Sequence, residues 1–274
     1  MFRRKLRKME VQIKKAIKAG NSSAVILPRA WLNKEVRIEL VKKTPEIILS
    51  DVLEILRKYI PLKSIIGIYL VGSYARGEED KDSDIDLLIL TDNIDKEIIT
   101  EGIYNILIVS YPLLYQKLDK NLFPVGQMLK EAKPLINEDY LNLIEVKVTK
   151  QNIKWYIDTT KEKLEVIKEY IEHAKKAKDK KNRHLGDKIA YTLILRIRTL
   201  EIIKKLIQNK DYSKKEFIKL IERISKSNNA YERYLASKNN LKEENKLAID
   251  EAERLYEYLE KDLERVKGMI KKLK

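Results

Sequence analysis

The sequence predicts an α/β domain in the middle of the chain, an all-α helical bundle after it, and a small N-terminal β segment before it. Two strands, a buried one from Ile65 to Val71 with a glycine inside and a second from Ile85 to Leu90, are separated by a glycine-containing turn. A helical repeat precedes them and another follows, so helix and strand alternate. From about residue 151 the pattern changes to long amphipathic helices with short connections, as in an antiparallel bundle.

Taken in order, residues 10–41 read as short strands and turns. Val11, Ile13 and Ala16 lead into Gly20-Asn21-Ser22-Ser23, Ala24 to Leu27 runs into Pro28, and Val36 to Leu40 alternates with strand period. Over 46–60 the residues Ile47, Ile48, Val52, Ile55, Leu56 and Tyr59 recur at helical spacing until Pro61. The strand 65–71 gives way to a tight turn and a short helical segment over 72–77. After the strand 85–90, a third strand is expected from Tyr104 to Val109, closed by Pro112, and a helix over 112–118. Bundle helices are expected over 152–179, 186–208, 213–226 and 243–272, with turns at 179–182 and 209–212. Ser213 reads as an N-cap, with Glu216 completing a capping box. The expected domains are 1–45, 46–150 and 151–274.

The 274 residues carry a net charge of +15, unevenly spread. Residues 1–45 hold 13 Lys/Arg against 3 Asp/Glu, residues 46–150 hold 12 against 18, and residues 151–274 hold 32 against 21. The basic ends suit nucleic acid or a polyphosphate, or else form a solvated lysine surface. The absence of cysteine excludes disulfides and thiolate zinc sites, and two histidines are too few for a histidine-built metal centre. No apolar run approaches the roughly 20 residues of a membrane span, so a cytoplasmic protein with no membrane partner is expected.

The chemistry concentrates in Leu70-Val-Gly-Ser-Tyr-Ala-Arg-Gly-Glu-Glu-Asp-Lys-Asp-Ser-Asp-Ile-Asp-Leu-Leu-Ile-Leu90. Gly72-Ser73 sits where a strand turns into a helix, where a glycine backbone can approach a phosphate and open N–H groups attract anions. After ten intervening residues, Asp84-Ile85-Asp86 opens a strand. Residues i and i+2 of a strand share a face, so both carboxylates converge while Ile85 and Leu87 turn to the core. Paired hard oxygen ligands suit Mg²⁺, which takes few protein carboxylates and completes its shell with phosphate oxygens and water.

This stretch resembles the minimal nucleotidyltransferases of the DNA polymerase beta-like superfamily, over about residues 46–118. Gly72-Ser73, the spacing to Asp84 and Asp86, and the Ser73 to Gly77 continuation all match. The resemblance implies a mixed-sheet core and a reaction in which two Mg²⁺ ions, held by Asp84 and Asp86, bridge an NTP and an attacking hydroxyl. It gives Gly72 and Ser73 to the β and γ phosphates. Arg76 either joins them or is an ordinary exposed arginine. The family's third carboxylate, on the next strand, falls at Asn105 here, which cannot act as a base, unless the register differs and Glu101 takes the place.

Lys18 to Trp31 with Glu35 to Leu40 resembles an AbrB-type swapped hairpin. That resemblance implies a homodimer that binds DNA or RNA through a basic arm including Lys14, Lys15, Lys18 and Arg29, or an element that only dimerises. The bundle weakly resembles the helical substrate-binding domains of related transferases. Two functions therefore stand. One is Mg²⁺-dependent transfer of a nucleoside monophosphate from an NTP to a hydroxyl of a small molecule, a protein or an RNA end. The other is a dimeric nucleic-acid-binding regulator whose degenerate transferase domain senses nucleotide.

Overall fold

The computed structural model describes residues 12, 14, 16–38, 43–80, 83–176, 184–242 and 246–273. The expectations for Val11, Ile13, Lys15, Glu39, Leu40, the turn at 179–182 and the helix start at 243–245 lie outside the described residues. The chain divides into two compact units, 1–48 and 49–274.

In the first unit, β1 (Ile17–Ala19) pairs antiparallel with β2 (Ser22–Ala24). Gly20 turns the chain at φ +60°, a left-handed conformation that glycine adopts without steric cost. The strands expected over 24–27 and 36–40 are not formed at 25–28 or 36–38, and a single helical turn stands at Arg29–Trp31. A strand needs a hydrogen-bonding neighbour, and the described part of this unit supplies none beyond the hairpin. Ile26, Leu32 and Ile38 remain 69%, 72% and 69% exposed.

Helix α1 (Pro45–Leu56) crosses into the second unit and ends four residues short of the expected helix. The sheet of the second unit has the order β5-β6-β4-β3-β7. Its strands are β3 (Ile65–Val71), β4 (Ile85–Thr91), β5 (Lys96–Glu101), β6 (Tyr104–Ser110) and β7 (Lys133–Ile136). The β4–β6 pair is parallel and the others antiparallel, so the sheet is mixed. The expected strands are those at its centre. Both edge strands were missed: β5 leaves Ile98 exposed and β7 contains Pro134, and each owes its conformation to a neighbour more than to its own pattern.

Helix α2 (Gly72–Arg76) follows β3 directly, α3 (Tyr111–Lys120) and α4 (Val125–Glu131) precede β7, and α5 (Glu138–Leu143) follows it. One face of the sheet packs Tyr69, Leu88, Leu90 and Val109 against Leu114, Val125 and Leu129. Gly67 makes room there, because a Cβ would lie 2.1 Å from the Tyr69 hydroxyl, which donates to the Asn137 carbonyl at 3.0 Å.

The helical region comprises α6 (Lys154–Lys176), α7 (Asp187–Ile207), α8 (Lys214–Ser225), α9 (Asn229–Lys238) and α10 (Ile249–Lys271). The short strands β8 (His184–Leu185) and β9 (Leu247–Ala248) pair beside them. Helix α9 was not expected; its polar sequence is anchored by buried Ala230, Tyr234 and Ala236. The core runs through Leu164, Ile197, Ile221 and Leu259 and takes in Leu122 and Phe123 from the α/β part. Each fully buried Leu or Ile contributes on the order of 1.5–3 kcal/mol, so this continuity ties the helices to the sheet. Among the described residues no helix is long and apolar enough to cross a membrane.

Candidate active site

Strand β3 delivers its last residue, Val71, to a turn where Gly72 has φ +71°. A Cβ on Gly72 would lie 2.4 Å from Asp86 Oδ2, so only glycine lets the carboxylate of β4 sit against this turn. Val71 pairs with Asp86 across the β3–β4 ladder, which sets that approach. Ile85 and Leu87 are fully buried, while Asp86 is half-buried and Asp84 exposed, as the alternation requires.

Gly72, Ser73, Asp84, Asp86 and Asn105 line one wall of a cavity of about 890 Å³. The opposite wall comes from α7, α8, α9 and the residues leading into α8, including Arg198, Tyr212, Phe217, Tyr234 and Lys238. The volume lies toward the upper end of the roughly 300–1,000 Å³ typical of small-molecule sites.

Asp86 has its pKa raised, first by burial and further by the neighbouring charges of Asp84 and Glu131, with a hydrogen bond from Asn105 and the charge of Lys238 opposing. No ion pair relieves it among the described residues. A half-buried carboxylate beside a second one, with no cation against it, suits a divalent ion. No group of three or more His, Cys, Asp and Glu side chains forms a complete ligand set among the described residues. Such an ion would draw its remaining ligands from phosphate and water.

The β4–β6 register puts Asn105 beside Asp86. The Thr100 hydroxyl donates to Asn105 Oδ1 at 3.0 Å, which turns the amide nitrogen toward Asp86 Oδ1 at 3.5 Å. Asn105 therefore presents a donor, where a third acid would present an oxygen. Glu101 stands on β5 opposite Tyr104, with Lys58 at 2.5 Å and the Tyr59 hydroxyl at 3.4 Å, and it does not line the cavity.

Arg76 is not an ordinary exposed arginine. Its side chain is 12% exposed, donates to Glu78 and Glu131, and stacks 5.6 Å from the Tyr212 ring centroid. Burial works against its charge, and Glu131 and Glu78 outweigh it. The other oxygen of Glu131 accepts the Gly72 N–H at 2.9 Å. The amide expected to stand open for phosphate is thus occupied by a carboxylate. Helix α2 spans five residues, too few for a helix-dipole argument.

Glu131 is one of several site residues that the sequence did not reveal. Glu78 is another. It accepts from Ser213 Oγ at 2.7 Å, from the Lys214 N–H at 2.9 Å and from Arg76 Nε at 3.0 Å. Burial opposes its ionisation, and the hydrogen bonds from Lys214, Ser213 and Arg76 overcome this and bring its pKa to about 2. Ser213 does cap α8, but the expected capping-box partner Glu216 reaches Lys205 at 3.1 Å. The carboxylate at that helix start is Glu78, from the motif turn. The signal for Glu78 and Glu131 was only an acidic side chain in a loop or at a helix end. On the helical wall, Arg198 falls within the helix expected over 186–208 and Tyr212 in the turn expected at 209–212. Lys14, Lys18 and Arg29 are exposed in the first unit.

A family model described as "Nucleotidyltransferase domain" matches residues 49–273. No curated protein matches. Among solved structures, the chain is similar to a nucleotidyltransferase-like protein from Exiguobacterium sibiricum, at 13% identity and TM-score 0.37, over 82% of this chain and 77% of that one. It is also similar to a spectinomycin adenyltransferase from Enterococcus faecialis solved with ATP and spectinomycin, at 14% identity and TM-score 0.39, over 79% and 98%. A toxin-antitoxin structure with AMP-PNP matches at 20% identity and TM-score 0.24, over 44% and 95%.

Proposed function

From the premise that the chain belongs to the nucleotidyltransferase domain family, we propose that it moves a nucleoside monophosphate from an NTP to a hydroxyl acceptor in a Mg²⁺-dependent reaction. The observation that carries this reading is the meeting of Gly72 with the Asp86 carboxylate, 2.4 Å from where a Cβ would stand, on one cavity wall with Ser73 and Asp84. The acceptor oxygen bonds to the α-phosphorus, the bond from that phosphorus to the α–β bridging oxygen breaks, and pyrophosphate leaves with the electron pair.

Asp84 and Asp86 hold the metal, which when bound offsets the negative charge gathering on the phosphate oxygens. Ser73 offers its hydroxyl to the triphosphate. The Gly72 N–H becomes available when one oxygen of Glu131 gives way, its other oxygen staying on Arg76. Arg76 therefore acts on the nucleotide through Glu131 and Glu78. Asn105 takes no proton, so the acceptor proton leaves to solvent.

The test is incubation of the chain with α-labelled NTPs and Mg²⁺ against a panel of hydroxyl acceptors, beside calorimetric titration of Mg²⁺-ATP. Wild type is expected to bind nucleotide only with Mg²⁺, and Asp86→Asn to lose that binding while keeping its circular dichroism. Equal binding by Asp86→Asn would refute the assignment.

The alternative reading, a nucleic-acid-binding homodimer, rests on residues 17–38. Their exposed Ile26, Leu32 and Ile38 beside the basic Lys14, Lys18 and Arg29 favour a second copy of the segment as cover. It is compatible with catalysis in residues 49–274.

A further inference from the structure

The wall of the cavity opposite the carboxylates has a chemistry of its own. Among the described residues, no Asp or Glu of the helical region lines it. Its cations are Arg198 on α7, Lys238 at the end of α9, and Lys214, which pairs with Asp80 at 3.2 Å. Arg198 has no carboxylate partner among the described residues. Its guanidinium lies 5.6 Å from the Tyr212 ring centroid and is engaged by the hydroxyls of Tyr212 and Tyr234, while its Nε is buried without an acceptor. Neutral hydroxyls offset only part of the cost of burying a cation, and an anion in the cavity beside the guanidinium would offset more of it. Around it the lining is aromatic: Tyr156, Tyr212, Phe217, Tyr231 and Tyr234 come from the helical region, and Phe123 from the α/β part. Ring-bearing surfaces of this kind favour a planar ligand.

Resting on the proposed nucleotidyl transfer, we infer that this wall is the acceptor subsite and that the acceptor is a small aromatic hydroxy acid. The Tyr212 ring already carries Arg76 and Arg198, so the ligand ring packs beside Phe217 and Tyr231 and its acid group meets Arg198. An ammonium-bearing acceptor finds no carboxylate on this wall and meets Arg198 as a like charge. The first wall points the same way. Asn105 supplies no base, and a phenol ionises near pH ~10, far more readily than an alcohol, so it needs the least help in losing its proton. The phenolic oxygen bonds to the α-phosphorus, pyrophosphate departs, and the phenolic proton passes to solvent.

Three probes of one shape test this: 3-(4-hydroxyphenyl)propionate, 4-ethylphenol and tyramine, titrated by calorimetry into the full chain holding Mg²⁺ and a non-hydrolysable ATP analogue. The acid is expected to bind about ten-fold more tightly than the neutral phenol, and tyramine more weakly than either. Arg198→Met is expected to erase the difference between acid and neutral phenol, Arg198→Lys to keep most of it, and both to leave nucleotide affinity within about two-fold. Tyramine binding as well as the acid overturns the inference, and wild-type titrations alone decide that. Loss of nucleotide affinity in Arg198→Met overturns it too, by giving Arg198 to the triphosphate. A wild type that ignores Mg²⁺-nucleotide but still prefers the acid through Arg198 refutes the transfer reading and leaves the acid subsite standing.

Discussion

Replacing Glu78 by Gln tests how the motif turn holds the helical wall. The carboxylate gathers Arg76 Nε, Ser213 Oγ and the Lys214 N–H at 3.0, 2.7 and 2.9 Å, and stands at the N-terminal end of α8. Its pKa of about 2, against an ordinary 4.5, corresponds to about 3 kcal/mol of preference for the charged form in the folded chain. Water at the rim screens part of this and leaves on the order of 2 kcal/mol. The folded value lies below the unfolded one, so the contribution is complete above about pH 4.5 and drains away as pH falls toward about 2. For a unit of this size, Glu78→Gln is expected to lower the melting temperature by about 4–8 °C at pH 7. The gap to wild type is expected to narrow steadily between about pH 4.5 and 3. Paired melts by circular dichroism at several pH values measure it. A gap that stays constant from pH 7 to 3, or is absent at pH 7, would show that the charge of Glu78 does not hold the two parts together.

Gly72→Ala is expected to cost about 1–3 kcal/mol in a denaturant melt and to abolish Mg²⁺-nucleotide binding, because the new methyl needs both a left-handed backbone and the space of Asp86 Oδ2; unchanged affinity counts against the turn as the phosphate site. Asn105→Asp is expected to tighten Mg²⁺ binding and raise turnover, by up to about 10²-fold if the new carboxylate serves as base, whereas Glu101→Gln leaves both within about two-fold because Glu101 is engaged by Lys58 and Tyr59; the reverse pattern assigns the third position to Glu101. A chain beginning at residue 46 is expected to be monomeric in light scattering where the full chain is dimeric, and an unchanged mass removes the first unit as the interface.

The centre of the sheet was legible because β3 and β4 are largely buried and read as apolar runs interrupted only by Gly67 and Asp86 up to Leu90. The carboxylate pair was expected from local geometry alone; β4 begins at Ile85, so Asp84 stands one residue before the strand and Asp86 on it, and both line the cavity. Asn105 was found by counting along β6, and the β4–β6 register pairs it with Asp86. What failed was everything whose cause lies far along the chain. Glu78 looked like one more acid in an acidic loop, and its partners are residues 213–215. Arg198 falls inside the helix expected over 186–208, and nothing local announces that Tyr212 lies against it. Helix α9 carries too few apolar residues to announce itself and is held by what it packs on.

The bond from Lys214 to Glu78 joins positions 136 apart in the chain, and this has a consequence for synthesis. The motif turn and the carboxylates Asp84 and Asp86 leave the ribosome well before α8 and α9 exist. At about 5–20 residues per second, the interval is on the order of ten seconds. Throughout it, the α/β part has half a cavity, with Asp86 facing water and no aromatic wall to exclude it. A chain interrupted before Lys238 lacks part of the second wall. Whatever molecule fills the finished cavity meets both walls only once the chain has reached Asn239, and its binding energy then adds to the docking of the helices on the sheet.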